Sequence, residues 1–202
     1  MTCLTFGSRF PGVAFAASLF DSDGIQVRFM NSQVDGNGIR NSKDATDLVQ
    51  RVRFSGLTPL GTSMDRKILQ PLVLGPARAN ALQKPVLILT VTDGAPAGED
   101  RYAIVKVLVN ATRELARTRY GPDAISFQFA QVGQDQKAQD FLAELDNHPE
   151  IGGMVDVTSN VSPSQSTVGA VDTCHYHRPM GKALRSWQDP LQVLVSLTGH
   201  DC

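Results

Sequence analysis

Residues 86–91 (VLILTV) form an apolar run without alternation that is long enough for one strand. Such a run is typical of a strand that is buried on both faces, as in a parallel sheet flanked by helices. Thr92, Asp93 and Gly94 follow directly. Because ligands of open α/β sheets bind at the carboxyl ends of the strands, Asp93 is a candidate functional carboxylate. The Asp-Gly pair also suits an ordinary turn, so this second interpretation stays open.

Alternation of apolar and polar side chains predicts further strands. Residues 25–29 alternate and predict a strand with one wetter face, and residues 125–129 alternate in the same way. Residues 154–157 are a candidate last strand. Residues 31–41 are rich in glycine and asparagine and are predicted to be a loop.

Helical spacing of apolar residues marks three segments, at 45–52, 104–115 and 138–145. Ser42 or Asp44 is the expected cap of the first. A fourth helix follows the loop at 55–62, where Pro71 is expected to kink or end it, and Gly75-Pro76 is expected to break the chain. Strands alternating with helices in this order predict βαβ units and a mostly parallel sheet, which is an α/β fold.

Composition narrows the function classes. The chain has 202 residues and a formal net charge of -1, without a basic or acidic block, so neither nucleic acid nor an anionic membrane is an expected partner. No apolar run approaches the roughly 18 residues of a membrane span. The three cysteines lie outside the patterned middle of the chain and do not suggest a disulfide framework. The expected location is the cytoplasm.

Two loops are expected to meet at the carboxyl edge of the sheet, one with Thr58 and the other with Asp93. A hydroxyl and a carboxylate are hard oxygen donors that suit Mg²⁺ or Mn²⁺. These two side chains are therefore the candidate metal ligands.

The order and spacing of these motifs resemble the von Willebrand factor A (vWA) domain. The resemblance extends from about Ser18 to Asn160, and it includes GLTPLGT at 56–62, VLILTVTDG at 86–94, Asp23-Gly24-Ile25 and FQFAQVG at 127–133. It is closest to the intracellular A domains of fungi. It divides the chain into an atypical N-terminal segment (1–17), a vWA-like domain (18–160) and a tail of uncertain order (161–202).

The resemblance implies a doubly wound, mostly parallel sheet and a metal-ion-dependent adhesion site. By motif, Thr58 and Asp93 match two of that site's five ligands, and an acidic side chain of a partner protein would complete the Mg²⁺ sphere. Leu57, Pro59, Ala95 and Pro96 would form the partner-binding rim. The implied function is a protein-binding module and not an enzyme.

The chain departs from the family at the first strand. The Asp-x-Ser-x-Ser motif that supplies the other three ligands is missing from the sequence, so the domain looks abbreviated and weak metal binding is expected. The missing strand is central in the family's sheet. Residues 12–20 are one candidate replacement, and a split sheet is the alternative.

An enzyme hypothesis remains as an alternative. If residues 12–20 form a strand, Asp21-Ser22-Asp23-Gly24 resembles the Asp-x-Asp-Gly start of haloacid-dehalogenase-type phosphatases. Asp21 would then be the nucleophile, Asp23 the general acid/base, and Asp93 would help to hold Mg²⁺. Ile25 stands where that family has threonine, and the late carboxylates do not match.

Overall fold

The computed structural model describes residues 23–158 and the backbone of a strand at 192–197. Six strands are present in this part of the chain: β1 (Ile25–Phe29), β2 (Asp35–Ile39), β3 (Val86–Thr92), β4 (Ile125–Gln131), β5 (Val155–Thr158) and β6 (Gln192–Leu197). Five α-helical segments accompany them: α1 (Ser42–Gln50), α2 (Leu60–Met64), α3 (Gly75–Arg78), α4 (Ala103–Leu115) and α5 (Gln136–Asp146). A π-helical segment (Asp65–Leu74) joins α2 to α3, and a 3₁₀ turn (Pro122–Ala124) precedes β4. The predicted α/β class, with parallel strands, is confirmed.

The strands form one sheet in the order β2-β1-β6-β3-β4-β5. β1, β6, β3, β4 and β5 run parallel, and β2 is antiparallel to β1 at one edge. The last strand of the chain therefore lies in the middle of the sheet. Val195 is in register with Val27 on one side and with Leu89 on the other.

The central position of β6 corrects both expectations for the missing first strand. The sheet is not split, and the place between β1 and β3 belongs to residues 192–197 and not to residues 12–20, which lie outside the described residues. Part of the segment assigned to the tail is thus a structural strand. The physical reason is pairing: β1 and β3 each present an edge, and one apolar strand satisfies the backbone groups of both.

The core has two parts because side chains alternate across the sheet. Val86 and Ile88 of β3 belong to a large cluster with α2, the π-helical segment, α4 and α5. Leu89 and Val91 belong to a second cluster with α1 and the apolar residues of β1. All seven residues of β3 are buried, as the unbroken apolar run predicts.

The segment predicted to be a loop at 31–41 contains the edge strand β2, and this prediction is wrong for residues 35–39. In its sequence, DGNGI, only Ile39 is a typical strand-forming residue. Pairing with β1 supplies the order instead, and Gly36 lies so close to Leu48 that an added Cβ would collide with the Cδ2 atom. Only a neighbour in the tertiary structure makes this segment a strand.

The helix does not end at Pro71, and the break expected at Gly75-Pro76 is wrong. The helix continues through Pro71 as the π-helical segment and passes Gly75-Pro76 into α3. A proline ring clashes with the carbonyl one α-helical turn earlier and removes one donor. Here the wider π-helical turn accommodates Pro71 within the helix.

Two smaller expectations change at β1 and α1. The N-cap of α1 is Asn41, whose Oδ1 atom accepts the Asp44 N–H at 2.9 Å, and not Ser42 or Asp44. The wetter face predicted for β1 is covered: Arg28 is only 8% exposed. Its Nη1 atom donates to the carbonyls of Val27 and Gly36 at 2.9 and 3.2 Å, which pairs two of the five N–H donors of the guanidinium.

Candidate functional site

The loops of Thr58 and Asp93 lie together at the carboxyl edge of the parallel strands. Asp93 directly follows β3, and Thr58 precedes α2. A backbone hydrogen bond joins the loops, because the Ala97 N–H donates to the Thr58 carbonyl at 2.9 Å. That carbonyl also accepts the N–H of Leu60 at 2.9 Å. We call residues 55–59 and 93–99 together the rim.

The rim is also tied to the end of β1. Asn31, two residues after β1, donates from Nδ2 to the Leu57 carbonyl at 2.7 Å. The Leu57 side chain lies over Gly98, where an added Cβ would meet its Cδ1 atom at 2.7 Å. Gly98 has a φ of +82°, so a side chain there would be strained as well as crowded. The backbone of Leu57 is therefore fixed by Asn31 and its side chain packs on Gly98, although Leu57 is 62% exposed.

Glu99 braces the rim against the start of α2. Its carboxylate accepts the Gly61 N–H at 2.6 Å, the Thr62 N–H at 3.0 Å and the Thr62 hydroxyl at 2.8 Å. These N–H groups belong to the first turn of a helix, where partners within the helix are missing and a negative charge is favourable. Sequence analysis alone does not find this role, since the partners are separated by more than 35 residues.

Lys67 stabilises the same edge of the sheet through hydrogen bonds to the end of β1. Its ammonium donates to the carbonyls of Phe29 and Ser32, both at 2.8 Å, where the chain leaves β1. Burial lowers the pKa of Lys67, and the charge of Asp35 opposes that change. The π-helical segment is thereby fastened to the loop after β1.

The predicted site residues differ in how accessible they are. Thr58 is 2% exposed, and Asp93 is half-buried with its Oδ1 atom inside the protein. Thr92, beside Asp93, closes the turn: its hydroxyl donates to the Gly94 carbonyl at 2.8 Å. Of the four residues predicted for partner binding, Leu57 is exposed, and the others are half-buried: Pro59, Ala95 and Pro96.

Thr58 and Asp93 are the two oxygen donors that the sequence assigns to a metal ion at the rim. In residues 23–158, no group of three or more His, Cys, Asp and Glu side chains could hold a metal ion. Thr58 and Asp93 supply one hydroxyl and one carboxylate, so water or a partner's oxygen atoms would have to complete the octahedron that Mg²⁺ requires, and metal binding stays a prediction.

The carboxylates of the phosphatase hypothesis are separated by the structure. Asp23 precedes β1 and forms an ion pair with Lys84, which precedes β3. The hydrogen bond from Lys84 lowers the pKa of Asp23. Asp93 lies at the other end of β3, on the order of 20 Å away along a seven-residue strand. Asp23 and Asp93 therefore do not share a metal site, and Asp21 lies outside the described residues.

Comparison of the chain with protein-family models, with curated proteins and with solved structures found no match. Within the described residues, no helix combines the length and the apolar character needed to cross a bilayer.

Proposed function

We propose that this chain is a protein-recognition module of the vWA type whose binding surface is the rim. The observation that carries this proposal is the exposed Leu57 on a braced loop. The described residues include two exposed large hydrophobic side chains, Leu57 and Tyr102. Preordered apolar groups favour association, because little conformational entropy is lost when a partner covers them.

The strand order supports the vWA-type assignment. Doubly wound sheets commonly follow the order 3-2-1-4-5-6, and ligands bind outside the carboxyl ends of the strands where the order reverses. The order β2-β1-β6-β3-β4-β5 has the same form if β6 takes the place of the first strand. The reversal then falls at β6, between the ends of β1 and β3, and the rim lies at that edge.

The chemistry of the partner follows from the donor set. The resemblance implies an acidic partner residue bound through Mg²⁺, which requires ligands that the described residues do not provide. Without a metal, Asp93 would repel an acidic group. We therefore propose a partner segment that places an apolar side chain on Leu57 and a hydrogen-bond donor near Asp93.

Quantitative affinity capture with the immobilised full chain tests this proposal. Proteins retained by the wild type should be lost with Leu57→Ser and reduced with Asp93→Ala. Lys43→Ser is the control, because Lys43 is exposed on α1 and lies outside the rim. Thermal unfolding of every variant checks that the fold is intact.

The metal is tested in the same experiment. If recognition needs no metal, the immobilised chain should capture the same amount of partner protein in buffer with EDTA and in buffer with Mg²⁺. Release of the partner by EDTA, together with its loss in Asp93→Ala, would overturn this mode in favour of the metal-assisted mode. Unchanged capture by both Leu57→Ser and Asp93→Ala would exclude the rim as the binding surface.

A further inference from the structure

A second site lies at the amino edge of the sheet, opposite the rim. A cavity of about 530 Å³ opens between β1 and the segment from Pro71 to Pro76. Cavities that bind small molecules commonly measure roughly 300–1,000 Å³. Neither the rim nor its proposed partner involves this cavity, so the inference is independent of the proposed function.

One wall of the cavity is polar and comes from β1. Gln26 and Arg28 line it, and the Arg28 Nη2 atom donates to Gln26 Oε1 at 3.3 Å. Arg28 also lies 3.6 Å from an Asp35 carboxylate oxygen. The Arg28 side chain is 10% exposed, whereas that of Asp35 is 51% exposed. The cation is therefore buried and its carboxylate partner faces solvent.

The same asymmetry recurs at the mouth of the cavity. Lys84 and Asp23 line it and form an ion pair. The Lys84 side chain is 16% exposed, whereas that of Asp23 is 71% exposed. Water screens an exposed carboxylate more strongly than it screens a buried ammonium. In both ion pairs the cation is the more buried partner and the carboxylate is the more exposed partner.

The opposite wall is largely apolar. Pro71, Leu72, Pro76 and Leu82 line it. Leu82 is 5% exposed, and its N–H donates to the Tyr120 hydroxyl at 3.1 Å, which fixes this part of the wall. An apolar wall that faces buried cations is complementary to a molecule with an apolar body and an anionic end.

We propose that this cavity binds a small organic anion, with its carboxylate, sulfonate or phosphate near Arg28 and Lys84 and its apolar body against Leu72 and Leu82. The side-chain amides of Asn37 and Gln83 also line the cavity and supply hydrogen-bond donors. Charge-assisted hydrogen bonds of this kind determine which end of the ligand enters.

The dye 8-anilinonaphthalene-1-sulfonate is a suitable probe, because it joins an aromatic body to one sulfonate. Titration of the full chain, followed by fluorescence and by calorimetry, should give saturable binding with one dye per chain. N-phenyl-1-naphthylamine has the same aromatic body without the charge, and it should bind at least about tenfold more weakly. Equal affinity of the two dyes would overturn the proposal.

Substitutions locate the bound dye. Lys84→Met should raise the Kd at least about tenfold, and Lys43→Met is the matched control, because Lys43 is also an ion-paired lysine, at 83% exposure. Leu72→Asp places a negative charge in the apolar wall and should also weaken binding, which keeps the test decisive if Lys84→Met unfolds. Leu57→Ser should leave the Kd unchanged. A Kd that is the same in Lys84→Met, Leu72→Asp and the wild type would overturn the site.

Discussion

Glu99 is expected to contribute more to stability than other charged groups on the surface. Its carboxylate accepts three hydrogen bonds from Gly61 and Thr62, with donor–acceptor distances of 2.6, 3.0 and 2.8 Å. Glu99→Ala removes all three acceptors at once. The first turn of α2 then loses its capping partner, and the loop at 93–99 loses its attachment to that helix.

The magnitude follows from the type of bond. A hydrogen bond to a charged group contributes about 1.5–3 kcal/mol when it is well shielded, and a charge at a helix start adds about 0.3–1 kcal/mol. The Thr62 donors are exposed, so water replaces part of their loss. We therefore expect Glu99→Ala to reduce the free energy of unfolding by about 2–3 kcal/mol. Glu99→Gln keeps one acceptor oxygen without the charge and should cost about 1 kcal/mol.

Urea unfolding monitored by far-UV circular dichroism measures this difference directly. A thermal scan should show a Tm lower by about 4–12 °C for Glu99→Ala, given about 2–4 °C per kcal/mol for a chain of this size. Glu114→Ala is the control, since Glu114 forms an exposed ion pair with Arg78 and such pairs contribute at most about 1 kcal/mol. If Glu99→Ala costs no more than Glu114→Ala, Glu99 does not brace the rim.

Three further predictions use other contacts. Gly61→Ala would bring a Cβ to 2.7 Å from the backbone of α4 and should destabilise the fold by about 1–3 kcal/mol in urea unfolding; Gly153→Ala, whose Cβ would meet nothing within 4 Å, should cost clearly less. Val195→Pro removes a backbone donor from the central strand and should abolish cooperative unfolding or lower stability by more than about 3 kcal/mol, and a wild-type Tm would refute the position of β6. The lowered pKa of Asp23 means that its ion pair with Lys84 stabilises the fold above the ordinary pKa of 3.8 and loses this effect as the pH falls through the lowered value. Tm measured from pH 6 to pH 2 should therefore fall less steeply in Asp23→Asn, and parallel curves would contradict the ion pair.

Local sequence patterns predicted the helices and strands that are stabilised by the spacing of their own apolar residues. The apolar run at 86–91 became a fully buried strand, and the helical spacing at 104–115 and 138–145 became α4 and α5. The convergence of the Thr58 and Asp93 loops was also predictable, because both were assigned to the carboxyl edge of one parallel sheet, and the Ala97–Thr58 hydrogen bond joins them.

Other features depend on partners that are distant in the sequence. Glu99 lies shortly before the start of α4 in the sequence, yet its carboxylate binds the start of α2. Arg28 looked like a residue on a wet strand face, yet β2 supplies the carbonyl of Gly36 that allows it to be buried. Each of these roles depends on a contact between residues that are distant in the sequence. Local periodicity does not reveal such contacts.

The amino-acid sequence by itself determined which segments are helices and buried strands, since side-chain periodicity and burial act over a few neighbouring residues. The tertiary structure alone decided that DGNGI is an edge strand, that the helix continues through Pro71, and that residues 192–197 lie between β1 and β3. The physical reason is that backbone hydrogen bonding must be satisfied wherever a strand edge is buried, and a distant segment can satisfy it as well as a near one. The rim lies at the carboxyl edge of the sheet that this distant strand completes.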